Sequence, residues 1–89
     1  MQKTILITGA TDGIGLETAK MLRTMDHHLL LHGRNPTKLK EVASTLTALP
    51  GERRVESYVA DLSRLSDVAA LATAVAERHP SLDVLINNA

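Results

Sequence analysis

The residues best suited to chemistry in this 89-residue chain lie between its first apolar run and its first amphipathic segment: Thr8-Gly9-Ala10-Thr11-Asp12-Gly13-Ile14-Gly15. Glycine gives a turn backbone room and allows a close approach. At a helix start, exposed amide groups and the positive end of the helix dipole suit a phosphate. The spacing is T-G-x-x-x-G-x-G rather than the common G-x-G-x-x-G, because Thr18 stands where the last glycine would fall after Gly13 and Gly15. A glycine-rich turn with a purely local role is the competing reading. Three more polar groups fall at the ends of apolar runs: His32-Gly33-Arg34-Asn35, Asp61-Leu62 and Asn87-Asn88-Ala89.

The elements that must position these groups alternate along the chain. Ile5-Leu6-Ile7, stopped by Gly9, reads as a strand buried on both faces. Gly13 to Met25 reads as a helix with apolar residues at Ile14, Met21, Leu22 and Met25. Leu29-Leu30-Leu31 is a second strand, stopped by Gly33. Asn35 as N-cap and Pro36 as the first helical residue start a second helix. Leu39, Val42, Ala43, Leu46 and Leu49 give it an apolar face, and Pro50-Gly51 ends it. Arg54 to Val59 is a third strand, with Val55, Ser57 and Val59 on one face. Ser63 or Ser66 is expected to cap a third helix, whose apolar stripe is Val68, Leu71, Ala72, Val75 and Ala76 and which ends before Pro80. Val84-Leu85-Ile86 is a fourth strand.

This βαβαβαβ order predicts an α/β fold, a Rossmann-like doubly wound parallel sheet of which the chain supplies the N-terminal half. Right-handed crossovers place the first two helices on one face and the third on the other, giving strand order 3-2-1-4.

With these motifs in place, the sequence resembles the short-chain dehydrogenase/reductase family from Met1 to Ala89. That family carries T-G-x-x-x-G-x-G at the same place after its first strand. Asp61-Leu62 matches its Asp that contacts the adenine ring, and Asn87-Asn88-Ala89 matches the start of its N-N-A-G motif. The resemblance implies a nucleotide held by Gly9, Thr11, Asp12, Gly13, Ile14 and Gly15, with Ile14 under the pyrophosphate. It also implies that Asn88 and Ala89 border the ribose and nicotinamide, and that Asn87 ties strands together.

The end of the second strand bears on the choice of cofactor. An NAD site places a carboxylate there for the ribose hydroxyls, and His32-Gly33-Arg34-Asn35 has none. Arg34 offers a planar cationic fork suited to a 2′-phosphate, and Asn35 adds a polar group beside its capping role. NADP(H) is therefore the preferred cofactor and NAD(H) the alternative. The family's catalytic Ser and Tyr-x-x-x-Lys follow N-N-A-G. The one tyrosine here, Tyr58, has Leu62 four residues on, so no catalytic residue is assigned.

The expected function is the dinucleotide-binding portion of an oxidoreductase acting on an alcohol or carbonyl substrate. A non-catalytic dinucleotide-binding module is the alternative.

Composition narrows the rest. Ten basic residues balance ten acidic ones, 44% of residues are hydrophobic and 22% charged. The absence of cysteine excludes a disulfide scaffold and a catalytic cysteine. One Tyr, with no Phe or Trp, argues against a base-stacking nucleic-acid surface. No stretch reads as a signal peptide or membrane span, so a cytoplasmic protein is expected, homo-oligomeric in its complete form. His28 and His32 share a strand face without a third ligand, so no metal site is expected, and His27 and His79 read as cations at helix ends.

Asp26 falls where a helix usually ends in a left-handed glycine, so Asp26→Gly is expected to stabilise. At roughly 0.6 of a typical domain, residues 1–89 are expected to be the first part of a larger single domain. As a cut-out segment they would be marginally stable, with strand four an apolar edge.

Overall fold

The computed structural model describes residues 2–51 and 54–88. Seven elements follow in order: β1 (Thr4–Ile7), α1 (Gly13–Thr24), β2 (His28–Gly33), α2 (Pro36–Thr47), β3 (Val55–Val59), α3 (Leu65–Arg78) and β4 (Val84–Ile86). The strands form one sheet in the order β3-β2-β1-β4, and every pairing is parallel.

Alternation along the strands divides the core into two layers. Ile5, Ile7, Leu29 and Leu31 join Ala19 of α1 and Leu39 and Leu46 of α2 on one face. Leu6, Leu30 and Tyr58 meet Val75 of α3 on the other. The two-sided burial explains the near-continuous apolar runs of β1 and β2. On the α3 face, Leu65, Val68 and Leu85 remain exposed, and β4 pairs only with β1 among the described residues.

Two helices differ in detail from their sequence reading. In α1 the buried positions are Gly15, Ala19 and Arg23, whereas Ile14, Met21 and Met25 are exposed. Small residues bring α1 close to the sheet, and that close approach rotates the methionines outward. At α3 neither Ser63 nor Ser66 caps. Arg64 is the N-cap residue without a side-chain bond, and Asp67 supplies the first-turn carboxylate. α2 starts as expected, with Asn35 Oδ1 accepting from the Lys38 N–H at 3.1 Å. The third strand begins at Val55, one residue later than expected, with Ser57 and Val59 exposed.

The turn after α1 carries a buried cation. Arg23 is 2% exposed. Its Nε donates to the Leu46 carbonyl at 3.0 Å, and Nη2 donates to the carbonyls of Leu49 at 3.2 Å and Gly51 at 3.3 Å. α2 has no basic residue in its own last turn, so Arg23 supplies from α1 the positive charge that its carbonyl end favours.

Asp26 is left-handed at φ 59°, as expected, and the Asp26 and His27 N–H groups donate to the Arg23 and Leu22 carbonyls in the paired pattern of a Schellman end. Its carboxylate also faces Arg23 Nη1 at 3.4 Å, which corrects the forecast for Asp26→Gly. Glycine relieves about 1 kcal/mol of backbone strain. Removing a carboxylate that faces a buried guanidinium costs more than that. Asp26→Gly is now expected to lower the melting temperature. Asp26→Asn, which tolerates the same φ and retains an acceptor, should fall nearer the wild type in the same thermal melt.

Candidate functional site

The C-terminal ends of β1, β2 and β3 open into a cavity of about 440 Å³. Gly9, Thr11 and Asp12 line it from the first turn, Arg34 and Asn35 from the end of β2, and Asp61 and Leu62 from the end of β3. The remaining expected site residues lie elsewhere. Gly13, Ile14 and Gly15 form the start of α1, with Ile14 78% exposed, and Asn88 sits behind the turn. Ala89 lies outside the described residues.

The turn is held from several sides. Gly9 and Gly13 are left-handed, at φ 62° and 52°. The Thr8 N–H donates to Ile86 O at 3.0 Å, and the Ala10 N–H donates to His32 O at 2.9 Å. Thr8 Oγ1 donates to Asn87 Oδ1 at 3.2 Å and accepts from the Asn88 N–H at 2.8 Å. Asn87 is thus a tie between β1 and β4, as the resemblance implied. Asn88 Nδ2 donates to Gly9 O at 3.3 Å.

His32 was missed as a site residue. Its Nδ1 accepts from the Gly9 N–H at 3.1 Å, and its Nε2 lies 2.8 Å from Ala60 O. This network assigns a neutral ring protonated at Nε2. The ring is 4% exposed and fastens the first turn to the segment that carries Asp61. The only signal for it in the sequence was a histidine at the end of a buried strand.

The electrostatics favour an anion at the helix end. Asp12 is the N-cap of α1 but makes no side-chain bond to the helix amides, and no acidic residue follows in the first turn. Its carboxylate pairs instead with Lys38 Nζ. Lys38, also missed by sequence reasoning, is the second cation lining the cavity beside Arg34. The Asp61 carboxylate accepts from Ser63 Oγ at 2.6 Å and the Ser63 N–H at 3.0 Å. These bonds, opposed by desolvation and aided by the charges of Arg34 and Arg64, hold the Asp61 carboxyl below its ordinary range. The Asp67 carboxylate fixes the same corner by accepting from the Asp61 N–H at 2.8 Å. Tyr58 faces away from this cavity, in the α3 layer, where burial first and Glu56 second push its hydroxyl up.

A doubly wound parallel sheet with a polar cavity outside the carboxyl ends of its strands defines the class of α/β proteins that bind nucleotides there. The chain belongs to the short-chain dehydrogenase family, whose model matches residues 3–89. It is 41% identical over 85 residues to an uncharacterised oxidoreductase of Emericella nidulans, covering 96% of this chain and 31% of that protein. A D-beta-hydroxybutyrate dehydrogenase of Rhizobium meliloti is 34% identical, with 100% of this chain and 34% of that protein covered.

Among solved structures, a metagenomic short-chain oxidoreductase in complex with NADP superposes with a TM-score of 0.88 at 37% identity. That match covers 98% of this chain and 38% of the other. The chain thus spans about a third of the length of these relatives. No helix among the described residues is long and apolar enough to cross a membrane.

Proposed function

We propose that residues 1–89 are the first part of a single dinucleotide-binding domain. The complete protein would be an NADP(H)-dependent oxidoreductase acting on an alcohol or carbonyl substrate. The observation that carries the cofactor preference is the end of β2, where Arg34 lines the cavity and His32-Gly33-Arg34-Asn35 holds no carboxylate to repel a 2′-phosphate; Lys38 of α2 lines the same cavity, paired with Asp12. Bound NADPH supplies the hydride. The chain's own residues would bind and orient it: the amides at the start of α1 would hold the pyrophosphate, and Asp61 and Leu62 would border the adenine. Lys38, which pairs with Asp12, would join Arg34 in holding the 2′-phosphate. Asn88 and Ala89 would border the ribose and nicotinamide, as the family resemblance implies. Proton transfer at the substrate belongs to residues outside 1–89. The NADP complex of a relative and the dehydrogenase names of others support this reading.

Fluorescence titration of the complete protein tests it. NADPH should bind at least about tenfold more tightly than NADH, the equivalent of one charge-assisted contact. Arg34→Ala should weaken NADPH by about tenfold or more while leaving NADH within about twofold. Tighter binding of NADH by the wild type would overturn the Arg34 argument. Binding of NADPH without its oxidation by any aldehyde or ketone would favour the non-catalytic module.

A further inference from the structure

Three metal-ligating side chains converge at the opposite end of the sheet from the cavity. His28 opens β2, Glu56 is the second residue of β3, and His79 is the C-cap of α3. Strand alternation puts His28 and Glu56 on the face that α3 covers, and the end of α3 brings His79 over them. Glu56 Oε2 lies 2.7 Å from His28 Nε2 and 3.1 Å from His79 Nε2. All three ligand atoms fall within 4.8 Å of one another. Tetrahedral coordination at bond lengths of about 2.0–2.1 Å needs donor separations of about 3.3 Å, so small adjustments suffice.

The orientation of His79 points to an ion. Its Nε2 is buried and, despite its nearness to Glu56, meets no hydrogen-bond geometry. A buried imidazole nitrogen calls for a partner. The two rings stand edge-on, 83° apart with centroids at 5.0 Å, so they approach the carboxylate from different directions instead of stacking. Arg78 contacts the other oxygen, Oε1, at 3.5 Å and is largely exposed, which leaves Oε2 to the imidazoles. A cation on Oε1 acts as an outer partner that orients a ligating carboxylate. The three ligands are half-buried, so an ion can enter from solvent.

We propose that His28, Glu56 and His79 form a Zn²⁺ site. Two imidazoles and one carboxylate suit Zn²⁺ and leave a fourth position for water. His28 is about 13 Å along β2 from His32 at the cavity, on strand rise alone. The ion therefore clips the C-terminus of α3 to β2 and β3 and takes no part in hydride transfer. Sequence spacing pointed to no metal because it paired His28 with His32, whereas the fold pairs it with residues 28 and 51 positions away.

Calorimetric titration of the metal-stripped complete protein with ZnCl₂ tests the site, with thermal melts and Co²⁺ absorption as further readouts. The wild type should bind a single Zn²⁺ at this site, melt at a higher temperature with Zn²⁺ than without, and give Co²⁺ a tetrahedral spectrum. Mg²⁺ should produce none of these. His79→Gln should weaken Zn²⁺ by more than about tenfold, and the double variant His28→Gln with His79→Gln should abolish the heat, with NADPH affinity unchanged. Glu56→Gln, which keeps the shape of the side chain, serves where the double variant does not fold. Absence of a Zn²⁺ heat and melting shift in the wild type would overturn the site. Undiminished binding in the variants would do the same.

Discussion

Gly15→Ala is expected to weaken NADPH binding by about ten- to a hundredfold and to destabilise the fold by about 2–3 kcal/mol. A Cβ at this position would fall 2.1 Å from the Gly9 carbonyl oxygen and 2.6 Å from Asn88 Nδ2. The first neighbour is backbone and cannot rotate away. Relief therefore moves the whole turn, breaks the Asn88–Gly9 hydrogen bond and shifts the amides at the start of α1. Gly13→Ala provides the contrast. At Gly13 a Cβ would meet nothing within 4 Å, so the cost is the left-handed φ of 52° alone, about 1 kcal/mol. Both variants can be compared by urea denaturation and fluorescence titration. Equal losses at the two positions would show that the close approach at Gly15 is not what limits the turn.

Arg23→Met is expected to cost about 3–5 kcal/mol in the same denaturation experiment, with little change in NADPH affinity of the folded protein. Methionine keeps much of the buried stem but removes the guanidinium. The carbonyls of Leu46, Leu49 and Gly51 then lose their donor, and the Asp26 carboxylate loses the charge it faces. Arg23→Lys should recover only part of the loss, because an ammonium cannot span the same fork of acceptors. A loss below about 0.5 kcal/mol, the range of ordinary surface substitutions, would sink the assignment of Arg23 as the cap of α2.

Gly15 and Arg23 separate what is local in this fold from what is not. Gly15 was legible as a close-packing glycine, because a turn motif places its functional glycines a few residues apart in the chain. Arg23 was not legible. An arginine in an amphipathic helix reads as a surface residue, and its acceptors lie 23 to 28 positions further on. The same separation hid Lys38, which reaches across 26 residues to Asp12, and His32, which bridges the first turn and Ala60. Met21 and Met25 were legible only as apolar residues of the helix; the fold leaves both exposed, because Gly15 and Ala19 face the sheet on a different side.

By itself, the sequence determined the element order, the parallel sheet in the order β3-β2-β1-β4, the Asn35 cap, the left-handed Asp26 and the first-turn glycines. Each depends on residues within one turn, one strand or one crossover, where period, chirality and backbone sterics leave few alternatives. Only the tertiary structure decided which charged side chains are buried and with whom. It joined Arg23 to the end of α2, His32 to two loops, and His28 with Glu56 and His79 at the far end of the sheet. The reason is physical: partners for a buried polar group are chosen by proximity in space, and sheet pairing brings together residues that no local pattern connects.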